Sequence, residues 1–243
     1  FRSLLLQSGF AATVVVLEVP TGYLADRCGR KQTLGLAGCF DVLGFLLYGT
    51  SGGFWQFLLA EATIAVGVSL RSGAIEAITY DTLLEIGEEK SYRRVAGNQH
   101  FLEFNTEALC GLIGAFIATM SLRLPLLLTA IPAAIALCIA CSLREPKRHK
   151  MQDTGHWRQI VSVSKNTLRQ TGLTGVMLLY GILSTMTLTF FWFFQAYQTL
   201  VGIPVALFGL THAVIVVAGA FSSKYVQWFE KRMDDRLLLM VIA

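Results

Sequence analysis

Gly22-Tyr23-Leu24-Ala25-Asp26-Arg27-Cys28-Gly29-Arg30-Lys31 is a charged, glycine-punctuated stretch between two apolar runs, each long enough to cross a bilayer. So short a segment predicts a tight loop whose charges work against a membrane surface or against the ends of neighbouring helices. Within it, Gly22 is expected to permit close helix approach, and Gly29 a tight turn with unusual backbone angles. Asp26, at a helix end, can meet the positive N-terminus of another helix or an arginine. Arg27, Arg30 and Lys31 can pair with carboxylates on nearby helix ends.

The flanking composition fixes the class. With 54% hydrophobic and 15% charged residues, the chain is too apolar for an ordinary soluble domain. Apolar runs of spanning length fall at 3–24, 33–51, 54–80, 98–120, 124–143, 172–200 and 204–228, and an eighth begins near Leu237. Their length, the lack of period-2 alternation and the need to satisfy backbone groups inside lipid require helices, so the fold is expected to be all-α, a polytopic transmembrane bundle. The chain opens on Phe1 and stops within the apolar run Met240-Val241-Ile242-Ala243, which reads as an internal fragment. Five scattered cysteines imply no disulfide framework, and the Cys138/Cys141 pair reads as helix packing rather than a metal or redox site.

Placing the opening stretch in the cytoplasm puts there all of the 20 lysines and arginines except Arg2, Arg71 and Arg123, as the positive-inside rule asks. A basic segment from Arg144 to about Thr171 separates the 1–143 bundle from the 172–243 segment. Trp157, Ile160, Val161, Ser164 and Leu168 share one helical face in it, so it is either a solvated linker or a helix on the inner leaflet. After it, Gly219-Ala220-Phe221-Ser222-Ser223 leads into a charged loop, Lys224 to Arg236, that mirrors the opening stretch in position.

The predicted spans hold Glu18, Asp41, Glu61, Glu76, Glu103 and Glu107 against a single base, Arg71. Left charged and facing lipid, they would cost on the order of 20 kcal/mol, so they must face the bundle or a wet cavity. Arg71 cannot neutralise them all. The surplus of carboxylates points to proton coupling. Glu103 and Glu107 lie one turn apart with His100 on the same face, so either one acid is neutral or His100 and Arg71 share the load. Glu18, Asp41, Glu76 and Glu103 are expected to brace helix ends, Asp41 and Glu103 staying candidates for coupling; Arg71 and Glu107 are expected at the cavity. The aromatic run Phe190 to Gln198 is expected to be an interfacial belt or packing, or else to set Gln195 and Tyr197 in a cavity wall. No nucleotide loop, metal cluster or nucleophile-base arrangement stands out.

The opening stretch resembles the signature loop of the major facilitator superfamily, G-x-L-A-D-R-x-G-R-K, and matches it at every fixed position. The resemblance implies two repeated six-helix halves, of which 1–143 would be family helices two to six and 172–243 helices seven to the start of nine. It also implies that Gly22, Asp26, Arg27, Gly29, Arg30 and Lys31 latch the halves, with Asp81 or Glu85 as the acidic partner, and that the latch breaks on switching. Two family patterns differ: Arg71 is followed by Ser72-Gly73, and the fifth family helix offers Gly111 and Gly114 without the proline of drug antiporters. The implied function is secondary transport, not enzyme catalysis, of a small organic solute across the cytoplasmic membrane by alternating access, driven by a proton gradient and with export as one direction. An uncoupled facilitator or a flux-free membrane sensor are the alternatives. No cofactor, metal or nucleic-acid partner is expected; the partners are lipid, solute and protons, with the full-length chain acting as a monomer.

Overall fold

The computed structural model describes residues 2–146 and 170–230. Its order is α1 (Arg2–Cys28), α2 (Arg30–Thr50), α3 (Phe54–Glu85), a 3-10 turn at Glu89–Ser91, α4 (Tyr92–Ala118), α5 (Arg123–Ser142), α6 (Thr171–Leu200) and α7 (Val205–Glu230). No strand occurs among the described residues. Six helices, Leu4–Cys28, Arg30–Thr50, Phe54–Glu85, Glu89–Ala118, Arg123–Ser142 and Gly172–Leu200, are long and apolar enough to span a bilayer, and Val205–Phe221 is a shorter apolar helix.

The opening stretch is not a loop. Gly22 to Cys28 complete α1, Arg30 and Lys31 start α2, and Gly29 alone is non-helical, at φ 119° and ψ 145°. This backbone region is essentially reserved for glycine, so a single residue turns the chain between two spanning helices. A Cβ at Gly22 would meet nothing within 4 Å, so close approach is made by its neighbours Thr21 and Ala25, both buried. Likewise Lys224 to Glu230 continue α7 rather than form the expected loop. The helical face expected from Trp157 to Leu168, the expected loop residues after Glu230 and the run at Leu237 lie outside the described residues.

Residues 1–148 with 209–243 form one compact unit and 149–208 another. In the first, α2 packs between α3 and α5, and α1 packs on α3. The interior is made of small side chains, Ala37, Ala60, Ala65, Ala74 and Ala140, while Val15, Val16, Leu109, Phe116, Ile131 and Ile139 stand exposed. Water would expel such a surface; lipid does not, and in lipid close packing of small residues supplies the cohesion. The second unit is dominated by α6, where Phe190 stacks on Phe194 with ring centroids 5.2 Å apart.

Candidate functional site

Among the described residues of the first unit, polar clusters lie at the Gly29 end and within the spans. At the Gly29 end, the backbone that only glycine accepts puts at the N-cap of α2 a residue with no side chain of its own to cap the helix. The cap comes from far along the chain. Glu145, just past the end of α5, accepts from the Arg30 N–H through Oε1 at 2.9 Å and from the Lys31 N–H through Oε2 at 2.7 Å. A carboxylate bridging the first two amides of a helix meets both orphan donors and the positive end of the dipole.

Arg30 reaches sideways from the same turn. Its Nε lies 3.2 Å from Asp81 Oδ2 on α3, and Nη2 lies 3.8 Å from Asp26 Oδ1. The Arg30 and Asp81 side chains are only 17% and 21% exposed, so the pair is better shielded than the Asp26 contact, where the carboxylate is 59% exposed. Of the two acids expected to serve this end, Asp81 is the one Arg30 meets, and Glu85 is exposed one turn on. Arg27 is exposed and Lys31 half-buried. Glu145 was not among the residues expected here. Its signal was the Arg144-Glu145-Pro146 sequence, a carboxylate placed just where α5 stops.

About 16 Å further along α2, by helical rise, Asp41 forms an ion pair with Arg71 of α3. This is near the middle of a hydrocarbon layer about 30 Å thick. Asp41 is 7% exposed; its Oδ2 accepts from Arg71, and its Oδ1 is buried with no hydrogen-bond partner among the described residues. Gly67, one turn before Arg71, leaves the space that this carboxylate fills, since a Cβ there would overlap it. The expectation that Asp41 braces a helix end is therefore corrected to a mid-span position. A second buried acid, Glu61, accepts from the Tyr48 hydroxyl at 3.2 Å near the opposite end of α2 and α3. Thr21 ties α1 to α3 by donating to the Ser69 carbonyl at 3.0 Å.

On α4, His100 Nδ1 lies 3.3 Å from Glu103 Oε2, and Glu107 Oε1 lies 3.0 Å from His212 Nε2 on α7. Arg71 is occupied with Asp41, so it does not share the load of Glu103 and Glu107; each of those acids has its own imidazole. Glu107 thus pairs with a residue on a helix that follows the basic segment rather than with His100 or Arg71. Glu18 and Glu76 are exposed. Gln195 and Tyr197 are exposed on α6 in the second unit, where Gln198 is the buried polar residue.

Helices of this length, joined at one end by a charged glycine hinge, invite comparison with known families. The profile described as Major Facilitator Superfamily matches residues 3–243. The chain belongs to the major facilitator superfamily. It is a multi-pass membrane protein of that superfamily, and the match from Gly22 to Lys31 had pointed to the same family. A curated relative is the Tetracycline resistance protein, class E, of Escherichia coli. It is 21% identical over 230 residues, which are 89% of this chain and 55% of that protein. The chain thus spans about half the length of this relative. No solved structure matches.

Proposed function

We propose that the full protein is a secondary active transporter that moves a small organic solute across the cytoplasmic membrane by alternating access, coupled to protons. The observation that carries this reading is the Asp41–Arg71 pair at mid-span. Asp41 Oδ1 is buried and without a hydrogen-bond donor among the described residues, so it is a place where a proton can bind. Protonation there neutralises Asp41 and releases Arg71, whose side chain is 41% exposed and can turn to a polar or anionic group of a solute. Proton binding and solute binding then compete for one guanidinium, which is the linkage a coupled carrier needs.

Gly22 to Lys31 would serve as the conformational latch at the cytoplasmic face, with Arg30–Asp81 as its ion pair and Glu145 as its anchor. The relative's name favours export, since a membrane carrier confers resistance to a compound by removing it. The test is flux in proteoliposomes holding the full-length protein. Asp41→Asn should abolish solute movement driven by a pH gradient while leaving solute exchange without a gradient measurable. Unchanged gradient-driven flux would refute coupling through Asp41. Flux indifferent to any gradient in the parent protein would make it a facilitator, and ligand binding without flux a sensor.

A further inference from the structure

A cavity of about 730 Å³ runs along the α2–α5 pair, and none of the charged pairs described above lines it. The two helices are pinned together at two glycines. A Cβ on Gly38 would stand 2.9 Å from Leu137 Cβ, and one on Gly49 would overlap the Leu127 side chain. Beside these contacts α5 presents a row of small side chains at four-residue spacing, Ala130, Ala134, Cys138 and Ser142. Next to it runs the bulky row Ile131, Ile135 and Ile139, all three exposed. Rows four residues apart are the ridges of a helix surface, so the small row is a trough and the isoleucines are its far bank. Val42 and Leu46 of α2 form the near bank.

The trough suits hydrocarbon. Its polar side chains are Cys138 and Ser142, and the Ser142 hydroxyl already donates to the Ile139 carbonyl at 2.7 Å. A polar solute placed there would lose hydration without gaining partners, whereas a methylene chain loses nothing. From Leu127 to Ser142 the trough is about 22 Å long by helical rise, enough for one extended fatty-acyl chain. Charge marks one of its ends. Arg144 stands exposed two residues beyond Ser142, where α5 stops. Lys31 lies on the face of α2 that carries Gly35, Gly38, Val42 and Gly49, and Gly35 is the residue that meets Cys141. Lys31 is therefore one turn past the end of the trough, and its backbone N–H reaches Glu145, the neighbour of Arg144. Neither cation forms an ion pair among the described residues. Arg30 beside them is held by Asp81 and Asp26, and the Glu145 carboxylate is turned onto the α2 amides. The opposite end has the single exposed cation Arg123, at the start of α5.

We propose that the α2–α5 trough binds one anionic phospholipid of the leaflet on the Gly29 side, with an acyl chain laid in the trough and the phosphate held by Lys31 and Arg144. Basic side chains just outside the hydrocarbon attract anionic headgroups. A chain seated between two banks gains dispersion contacts that a lipid against a smooth helix face lacks. The two requirements meet at one place, since the end of the trough that carries both cations is the end that opens toward the headgroups of that leaflet. The bound lipid bridges α2 and α5 where their glycine contacts leave space beside them. This site stands on the geometry of α2 and α5 alone and does not require Asp41 to carry protons.

Native mass spectrometry of the full-length protein, released from nanodiscs with equal amounts of phosphatidylglycerol and phosphatidylcholine of the same acyl chains, counts the lipid that stays bound. Phosphatidylglycerol should be retained with a roughly ten-fold preference, the size two partly exposed cations support. Lys31→Gln and Arg144→Gln should each lower that preference roughly three-fold, and Arg123→Gln should leave it unchanged. Ala134→Phe, which fills the trough, should lower retention of both lipids, while Leu109→Phe on an exposed face of α4 should not. A phosphatidylglycerol with a diazirine in its acyl chain should crosslink within residues 130–142 of the parent. The proposal is overturned by a parent without preference, by a preference that survives loss of both cations or falls with Arg123→Gln, or by retention untouched by Ala134→Phe. Crosslinks confined to other helices, or a second copy of the chain found on this face, overturn it as well. Because the readout is bound lipid and not flux, it stands or falls separately from the transport assay of Asp41→Asn.

Discussion

Replacing Glu145 tests whether a residue at the end of α5 holds the start of α2. In most helices the first amide donors exchange freely with solvent, because no carbonyl lies in reach. Here Arg30 and Lys31 N–H groups donate to Glu145 at 2.9 and 2.7 Å. Hydrogen bonds to a charged acceptor contribute about 1.5 to 3 kcal/mol each, and the helix-end charge interaction adds about 0.3 to 1 kcal/mol. The carboxylate is half-buried, so solvent screening brings the expected combined loss on Glu145→Ala to about 2 to 3 kcal/mol. At 1.4 kcal/mol per decade, hydrogen exchange at the Arg30 and Lys31 amides should quicken roughly 30- to 150-fold. Glu145→Gln keeps one acceptor oxygen and loses the charge, so its effect should be intermediate. Amide-resolved exchange of the full-length protein in nanodiscs measures both, with the mid-α2 amides as internal reference. Unprotected Arg30 and Lys31 amides in the parent, or protection unchanged in Glu145→Ala, would refute the cap.

Other perturbations follow from the same contacts. Gly29→Ala should lower stability by about 1 to 3 kcal/mol, because φ 119° is strained for any Cβ; a melting temperature equal to that of the parent would contradict the one-residue turn. Asp81→Asn should cost the Arg30 pair about 1 kcal/mol and shift the conformational equilibrium seen by accessibility labelling by roughly five-fold, with a smaller shift for Glu85→Gln. Equal effects of the two substitutions would dismiss Asp81 as the specific partner. Tyr48→Phe removes the hydroxyl that donates to buried Glu61 and should destabilise by about 1 to 3 kcal/mol, most of it restored by adding Glu61→Gln. A double variant no better than the single one would show that the hydrogen bond is not what matters there.

The helices themselves were legible because a bilayer demands long apolar runs, and 54% hydrophobic content leaves little else to read. The faces of those helices were not. When large apolar residues point to lipid and small ones pack inside, hydrophobic periodicity is nearly flat, so sequence gives no rotation about the helix axis. That is why the contact of Glu107 with His212 was not foreseen and Glu145 was missed: their partners are 105 and 115 residues away. Asp41 lies at mid-span whether α2 begins at Arg30 or near Thr33; what the sequence did not show is that Arg71 of α3 meets it there. Arg30 and Asp81 were legible because a resemblance supplied what periodicity could not.

A turn of one residue has no slack. Each residue added to a helix advances it by about 100°, so one residue inserted beside Gly29 would swing every side chain of α2 a quarter-turn or more about its axis. Asp41 would leave Arg71, and Arg30 would leave Asp81. The spacing from Gly22 to Lys31 therefore sets the phase of α2, as a key fixes the angle of a wheel on its shaft. Length changes at this corner should be far less tolerated than substitutions of its exposed charges.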